Sequence, residues 1–312
     1  MNNLAVSSSP HIRSSASTNR IMLDVLIALA PAAIMGCVIF GWDALAILAA
    51  TTLSAVVAEF LFNLIVKKEQ TIADLSAAVT GLLLGMNMHA DSPIWQCVLG
   101  SVFAIIVVKC LFGGLGCNFT NPAITARVVL LVSFTGTLAG GAAPTISIAP
   151  ELSSGATPLV VMRDGGDLPS LLDMFLGLRG GAIGETCIAA LLVGFIYLVV
   201  RRVINFETPL IFVATVFALT LIVDNSFYLA TAGILSGGLV LGAVFMATDY
   251  VTTPITRTGK MIFAFGCGLI TFLIRTYGSY YEGVSFAILF MNILSPYIEI
   301  WTRKKALGGK TA

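Results

Sequence analysis

Charge is what this sequence has least of. Aspartate, glutamate, lysine and arginine make up 11% of its 312 residues, against roughly 25% in a soluble globular chain. That shortage excludes an ordinary water-soluble domain. A net charge of +1 leaves no basic surplus with which to hold a nucleic acid. Histidine is confined to His11 and His89, both at the edges of apolar runs and without a partner at metal-ligand spacing. The cysteines, at 37, 97, 110, 117, 187 and 267, form no C-x-x-C pair, and all but Cys117 lie within apolar stretches. They read as small packing residues rather than a disulfide framework or a metal site. The sequence also lacks the sustained alternation, over about ten residues at a time, that a transmembrane β-barrel needs.

Apolar residues fill the space, at 57% of the chain. A bilayer core about 30 Å thick takes about 20 apolar residues per helix, so the sequence predicts an all-α integral membrane protein of about ten spans. They fall near 21–41, 44–66, 73–90, 94–112, 122–140, 181–200, 208–223, 229–248, 261–274 and 284–301. Residues 1–20 read as a polar, Ser-rich tail, too long and polar for the n-region of a cleaved signal peptide. Residues 302–312 form a short basic tail. The longest connection, 141–180, separates a first half at 21–140 from a second at 181–301.

Five spans per half is an odd number, so the second half is expected to be inverted relative to the first. A short echo supports this: G-L-L-L-G-M-N-M-H-A-D-S-P-I at 81–94 resembles G-L-V-L-G-A-V-F-M-A-T-D-Y-V-T-T-P-I at 238–255. Inverted repeats commonly build a site between the halves. With the N-terminus inside, the basic residues near inner ends are Arg13, Arg20, Lys67, Lys68, Lys109, Arg127, Arg201, Arg202, Arg257, Lys260, Arg303, Lys304, Lys305 and Lys310. Only Arg163, Arg179 and Arg275 fall outside. The expectation is a multi-pass protein of the bacterial inner membrane, surrounded by lipid, with both termini cytoplasmic and the 141–180 loop on the outer face.

Polar residues gather in a few places. The first is E-L-S-S-G-A-T-P-L at 151–159. Ser154, Gly155 and Ala156 are small enough to let a bulky group approach, and Pro158 biases Thr157 towards an extended backbone with its hydroxyl exposed. That suits a covalent attachment point; the same string also suits an ordinary loop. The second is G-G-L-G-C-N-F-T-N-P-A at 113–123, where Asn118, Thr120 and Asn121 offer groups suited to the polar edge of a heterocycle. Asn121 followed by Pro122 equally reads as the start of the fifth span. The third is F-M-A-T-D-Y-V-T-T-P at 245–254: Asp249 and its threonines supply oxygen ligands for a hard cation, or Asp249 caps the next turn beside Arg257 and Lys260. Among charges within spans, Glu59 is the most interior, either on an ion path or at a subunit contact, or paired with Lys67 and Lys68 two turns on. Asp24, Asp74 and Glu185 lie near helix ends.

These motifs carry a resemblance. The 151–159 string is similar to the S/T-G-A-T motif of the membrane flavoproteins of the Rnf and Na+-translocating NADH:quinone oxidoreductase complexes. F-G-G-L-G followed by N-P-A, F-M-A-T-D-Y-V and D-L-S-A-A-V-T-G-L-L-L at 74–84 resemble further segments of that family, in the same order and over nearly the whole chain. The chain looks like the shorter, D-type member of the family, since it lacks a long N-terminal extension. Two departures stand out: Glu151 where the attachment motif usually has aspartate, and Tyr250 where the family usually has proline.

The resemblance implies FMN joined through its phosphate to Thr157, with a flavin transferase acting during maturation. It further implies a second, noncovalent flavin (riboflavin) between the halves, the other subunits of an Rnf-type complex as partners, and electron transfer between ferredoxin and NAD+ coupled to Na+ or H+ transport. The competing class is a cofactor-free inverted-repeat transporter or channel, for which the same layout would serve.

Overall fold

The computed structural model describes residues 17–135, 157–164, 166 and 168–303. Its elements are helical throughout, with no strand element among the described residues. The first half contains α1 (Thr18–Phe40), α2 (Trp42–Val66), α3 (Ser76–Met86), α4 (Ile94–Phe103), which continues as a π-helical stretch Ala104–Cys110, and α5 (Pro122–Ser133). Two short helices follow in the connection, α6 (Pro158–Asp164) and α7 (Leu171–Leu176). The second half holds α8 (Ile188–Val200), α9 (Glu207–Asp224), α10 (Phe227–Leu235), α11 (Leu239–Leu241, running into a π-helical Gly242–Met246), α12 (Arg257–Tyr277) and α13 (Val284–Thr302).

Each boundary has a local cause. The Ser17 hydroxyl accepts from the Arg20 N–H at the start of α1, and the Thr256 hydroxyl accepts from Gly259 at the start of α12. Gly41, at φ 74°, makes the one-residue break between α1 and α2. Pro31 sits inside α1, where a membrane helix tolerates it.

Every expected span has a helical counterpart, but not every one is long enough to cross a bilayer. Five helices are (α1, α2, α9, α12 and α13), and α10 with α11 forms a further crossing bent by 63°. The remaining four, α3, α4 with its π-helical extension, α5 and α8, are shorter apolar helices; α3, with 11 residues, rises only about 17 Å. For α3 and α8 the shortening has a physical reason: polar or glycine-rich sequence at Asn87 and before Ile188 cuts the helix off inside the bundle. The eighth helix thus begins at Ile188 rather than 181, because Gly180 to Cys187 runs as irregular chain.

The two halves repeat one packing order. In the first, α2 lies against α3 and α4; in the second, α9 lies against α10 and α12. The halves meet along α1 and α8, where a Cβ on Gly194 would stand 2.2 Å from the Ala28 carbonyl oxygen. Only glycine permits this approach, as between other membrane helices. At the end of this seam Arg201 pairs with Asp24 at 3.1 Å, and the Tyr197 hydroxyl donates to the same carboxylate at 2.8 Å. A second seam joins the first echoing stretch to the second half. Gly184 and Ile183 donate their N–H groups to the carbonyls of Met86 (2.7 Å) and Met88 (3.0 Å), satisfying carbonyls at the end of α3 that its own helix leaves open. Asn87 of the first echo reaches Met246 of the second at 3.8 Å.

Candidate functional site

A cavity of about 260 Å³ opens between the halves, close to the lower end of small-molecule sites, about 300 Å³. Its walls come from α1, α3, α5, the glycine loop after α4 and the end of α11. Three of the four polar motifs supply residues to it: Ser76 and Thr80, Asn118 and Asn121, and Asp249.

The loop that delivers Asn118 needs its glycines for conformation rather than space. Gly114 and Gly116 take φ of 101° and 90°, with nothing within 4 Å of where a Cβ would stand. Asn118 donates to the Thr120 carbonyl at 3.1 Å. Asn121 caps α5, its side-chain oxygen accepting from the N–H groups of Ala123 (3.1 Å) and Ile124 (3.3 Å), with Pro122 as the first helical residue. It is therefore a helix cap and part of the cavity wall at once. With its amide oriented to satisfy both neighbours, Asn292 of α13 bridges the Thr252 carbonyl and the Asn121 N–H. Sequence reading does not single out Asn292, because a lone asparagine in an apolar helix gives only a weak signal.

Asp249, half-buried, accepts from the Val251 N–H at 3.3 Å and the Thr252 hydroxyl at 3.1 Å, so it does cap the following turn. The neutralising partner expected for it is engaged elsewhere: Arg257 forms an ion pair with Glu207. Tyr250, standing where proline is usual, donates its hydroxyl to the Val203 carbonyl and so ties the α8–α9 connection to the cavity rim.

Glu59 does not pair with Lys67 or Lys68. It is 2% exposed and meets Lys109 at 2.8 Å, because its face of α2 turns inward onto the π-helical stretch, whereas Lys67 lies beyond the helix end. Lys109 also donates to the Ser76 hydroxyl at 2.6 Å, Ser76 donates to Asp74 at 2.5 Å, and Thr71 donates to Glu59 at 2.7 Å. This chain of bonds ends in the cavity wall at Lys109 and Ser76. Lys109 and Arg127, 2% and 8% exposed, are buried pair members, so neither counts as a loop charge in orientation, and neither does the wholly buried Arg179.

Thr157 lies elsewhere. It is 6% exposed rather than presented to solvent, since it starts α6, its carbonyl accepting from Val160 and Val161, and that helix packs down onto α10. Its hydroxyl makes no hydrogen bond within the described residues. Leu159 touches Gly237 at the α10–α11 break. Arg163 donates to the Gly278 carbonyl at 2.8 Å and stacks over Tyr281, so α6 is also fastened to the α12–α13 connection. Ser154, Gly155 and Ala156 lie outside the described residues. Under this helix runs a charged cluster of which the sequence marks only Glu185. Arg127 bonds Asn87 and Glu282, Arg179 donates to the Glu185 carbonyl at 2.8 Å, and Arg275 donates to the carbonyls of Gly233 (2.7 Å) and Ser236 (3.1 Å). The cluster lies at the start of α11 and the cavity at its far end, with the 3 residues Leu239–Leu241 and the 5 residues Gly242–Met246 between them, roughly 12 Å along the helix.

Comparison with known proteins agrees with the motifs. The profile of the NQR2, RnfD, RnfE family matches residues 5–308. The D component of the Na+-translocating ferredoxin:NAD+ oxidoreductase complex of Acetobacterium woodii is 45% identical over 98% of this chain and 96% of its own length. Its counterpart in the proton-translocating ferredoxin:NAD+ oxidoreductase complex of Clostridium ljungdahlii is 38% identical over 98% and 97%. The corresponding component of an ion-translocating oxidoreductase complex of Escherichia coli is 34% identical over 97% and 98%. A match of this length takes in both halves, the connection between them and every motif at the cavity, and it makes this chain a member of the NQR2, RnfD, RnfE family.

Proposed function

We propose that this chain is the D-type membrane subunit of an ion-translocating ferredoxin:NAD+ oxidoreductase complex, and that it passes electrons through an FMN held on Thr157. The observation that carries the reading is the 45% identity, sustained over 98% of the chain, to a protein named as that subunit. The residues present fit the group. Thr157 has a hydroxyl uncommitted among the described residues, on a short helix fastened over a cluster of arginines and glutamates. FMN bound there would supply reversible electron acceptance, and the protein supplies position and charge. Thr157 would hold the phosphate; α6, through Leu159 and Arg163, holds the attachment point against α10 and the α12–α13 connection.

A second, noncovalent flavin would lie in the cavity between the halves: Asn118 and Asn121 would offer amide groups, and apolar walls from Val79, Leu83 and Phe245 would exclude water from a flat ring. Asp249 and the Glu59–Lys109 pair at or behind that wall are where an ion path would run. Among the relatives one carries Na+ in its name and another a proton, so the coupling ion is Na+ or H+. Other subunits of the complex would cover the membrane faces, and a flavin transferase would load Thr157 on the outer side of the inner membrane, with both termini inside.

In-gel ultraviolet fluorescence of the denatured chain, produced together with an active flavin transferase, tests the reading, with mass spectrometry of the 151–163 peptide to locate the adduct. A fluorescent band and an FMN mass on Thr157 are expected. A dark band from fully matured protein would favour a cofactor-free transporter built on the same two halves.

A further inference from the structure

The cluster beneath α6 contains a pair of acids with nothing to bond. Glu185 is 1% exposed, and its Oε1 accepts from the Ala182 N–H at 3.0 Å. Its Oε2 has no donor among the described residues. Glu282 accepts from Arg127 through Oε2, while its buried Oε1 has no donor either. Both free oxygens face the same break in the bent helix. Glu185 Oε2 lies 3.3 Å from where a Cβ on Gly238 would stand, and Glu282 Oε1 lies 3.5 Å from the same point on Gly237. The two carboxyl groups lie within electrostatic reach of each other.

Two ionised carboxylates cannot satisfy each other, because each offers only acceptors and the charges repel. One proton cures both defects at once. We propose that Glu185 and Glu282 share a single proton across the Gly237–Gly238 break and form a proton-binding site of this protein. The proton comes from hydronium: one of its O–H bonds breaks to leave water, an O–H bond forms on one glutamate, and that hydroxyl donates to the free oxygen of the other. The neighbours favour a proton over a metal cation. Arg127 reaches in from α5, Arg275 from α12 and Arg179 from the chain before α8, and these guanidinium groups would repel a second positive ion. His89, beyond the end of α3, and Cys187 complete the titratable surroundings. Gly238 leaves room for the pair, since a side chain there would press against Glu185 Oε2, while a side chain at Gly237 would meet Leu159. The site needs no flavin.

Infrared difference spectroscopy of the purified protein in lipid nanodiscs, in water and in heavy water, tests this. At neutral pH the unsubstituted protein should show a deuterium-sensitive band of a protonated carboxyl group. Both Glu185→Gln and Glu282→Gln should remove one carboxyl's worth of that band, and Asp249→Asn should leave that component in place. The amide in each glutamine variant can still donate to the remaining carboxylate, so the fold has no reason to fail. Absence of any such band from the unsubstituted protein would overturn the proposal without recourse to variants, as would its persistence in both glutamine variants. Loss of the band on adding Na+ at constant pH would also overturn it, by making the pair a cation site.

Discussion

At the cavity end of α11, most charged side chains are partnered, with Glu59 Oε2 the exception: Lys109 is held by Glu59 and Ser76, Asp249 by Thr252 and a backbone N–H. At the other end, beneath α6, the same residue types stand with buried atoms unbonded: Arg179 Nε and Nη1, Arg275 Nε, Glu185 Oε2 and Glu282 Oε1. Native interiors leave few polar atoms in this state, because each costs about 1–3 kcal/mol. A satisfied network fixes a shape, and an unsatisfied one is kept where something arrives to complete it. The difference sets a largely bonded network around the cavity against a more open one beneath α6.

The largest expected effect separates the two ends outright. Thr157→Ala removes the proposed covalent anchor at the α6 end and should abolish flavin labelling entirely, with mass spectrometry of the 151–163 peptide as the measurement. The bundle should remain assembled, since the lost hydroxyl makes no bond within the described residues. A variant peptide that still carries the FMN mass would remove Thr157 from its role. Substitutions at the cavity end should leave labelling unchanged, and if they did not, the separation of the two ends would collapse.

The next effect is on stability, at the wall. Lys109→Met strands Glu59, 2% exposed, against apolar neighbours, and breaking one partner of a buried pair costs about 3–5 kcal/mol. The double variant Lys109→Met with Glu59→Gln should recover most of the loss, because no uncompensated charge remains. Thermal unfolding in detergent measures both. Equal stability of Lys109→Met and the unsubstituted protein would mean that the pair is not part of a rigid wall.

Between the two regions lies the seam of the first echoing stretch with the chain before α8. A methyl group on Gly184 would stand 2.4 Å from Met86 Cβ, an atom fixed by its backbone. Gly184→Ala should therefore cost about 1–3 kcal/mol by overpacking, read as a lower unfolding midpoint with covalent labelling intact. An unchanged midpoint would show that the halves slide freely there.

Which parts of this were legible beforehand follows from how far apart the determining residues lie. Helix positions, the αL glycines of the 113–116 loop and the Asn121–Pro122 start of α5 depend on neighbours a few residues away, and local sequence revealed them. Partners did not show: Lys109 finds Glu59 across 50 residues, Arg127 finds Glu282 across 155 and Arg201 finds Asp24 across 177. Nearest-neighbour reasoning paired Glu59 with Lys67 and Asp249 with Arg257, since it saw only what lay close along the chain. Helix length was misjudged for a related reason. Apolar runs continue past the points where Asn87 ends α3 and the 180–187 glycines delay α8, and those endings serve contacts with the opposite half.

The smallest effect is expected at Asp249, where wall and ion path overlap. The carboxylate accepts from Val251 and Thr252 and lines the cavity, with no ion-pair partner among the described residues since Arg257 is bound to Glu207. Asp249→Asn keeps the shape and an acceptor oxygen for the cap, so the unfolding midpoint should hardly move. The charge is lost. If a cation passes here, losing about 1 kcal/mol of its binding raises the ion concentration for half-maximal electron transfer roughly fivefold. Turnover by the assembled complex, titrated with Na+ at fixed pH and with H+ at fixed Na+, measures this and shows which ion responds. Covalent labelling at Thr157 should be identical in both proteins, since the substitution lies at the other end of α11. If half-saturation is unchanged for both ions, the carboxylate at 249 is a helix-turn cap alone, and the cavity end is a wall without an ion path.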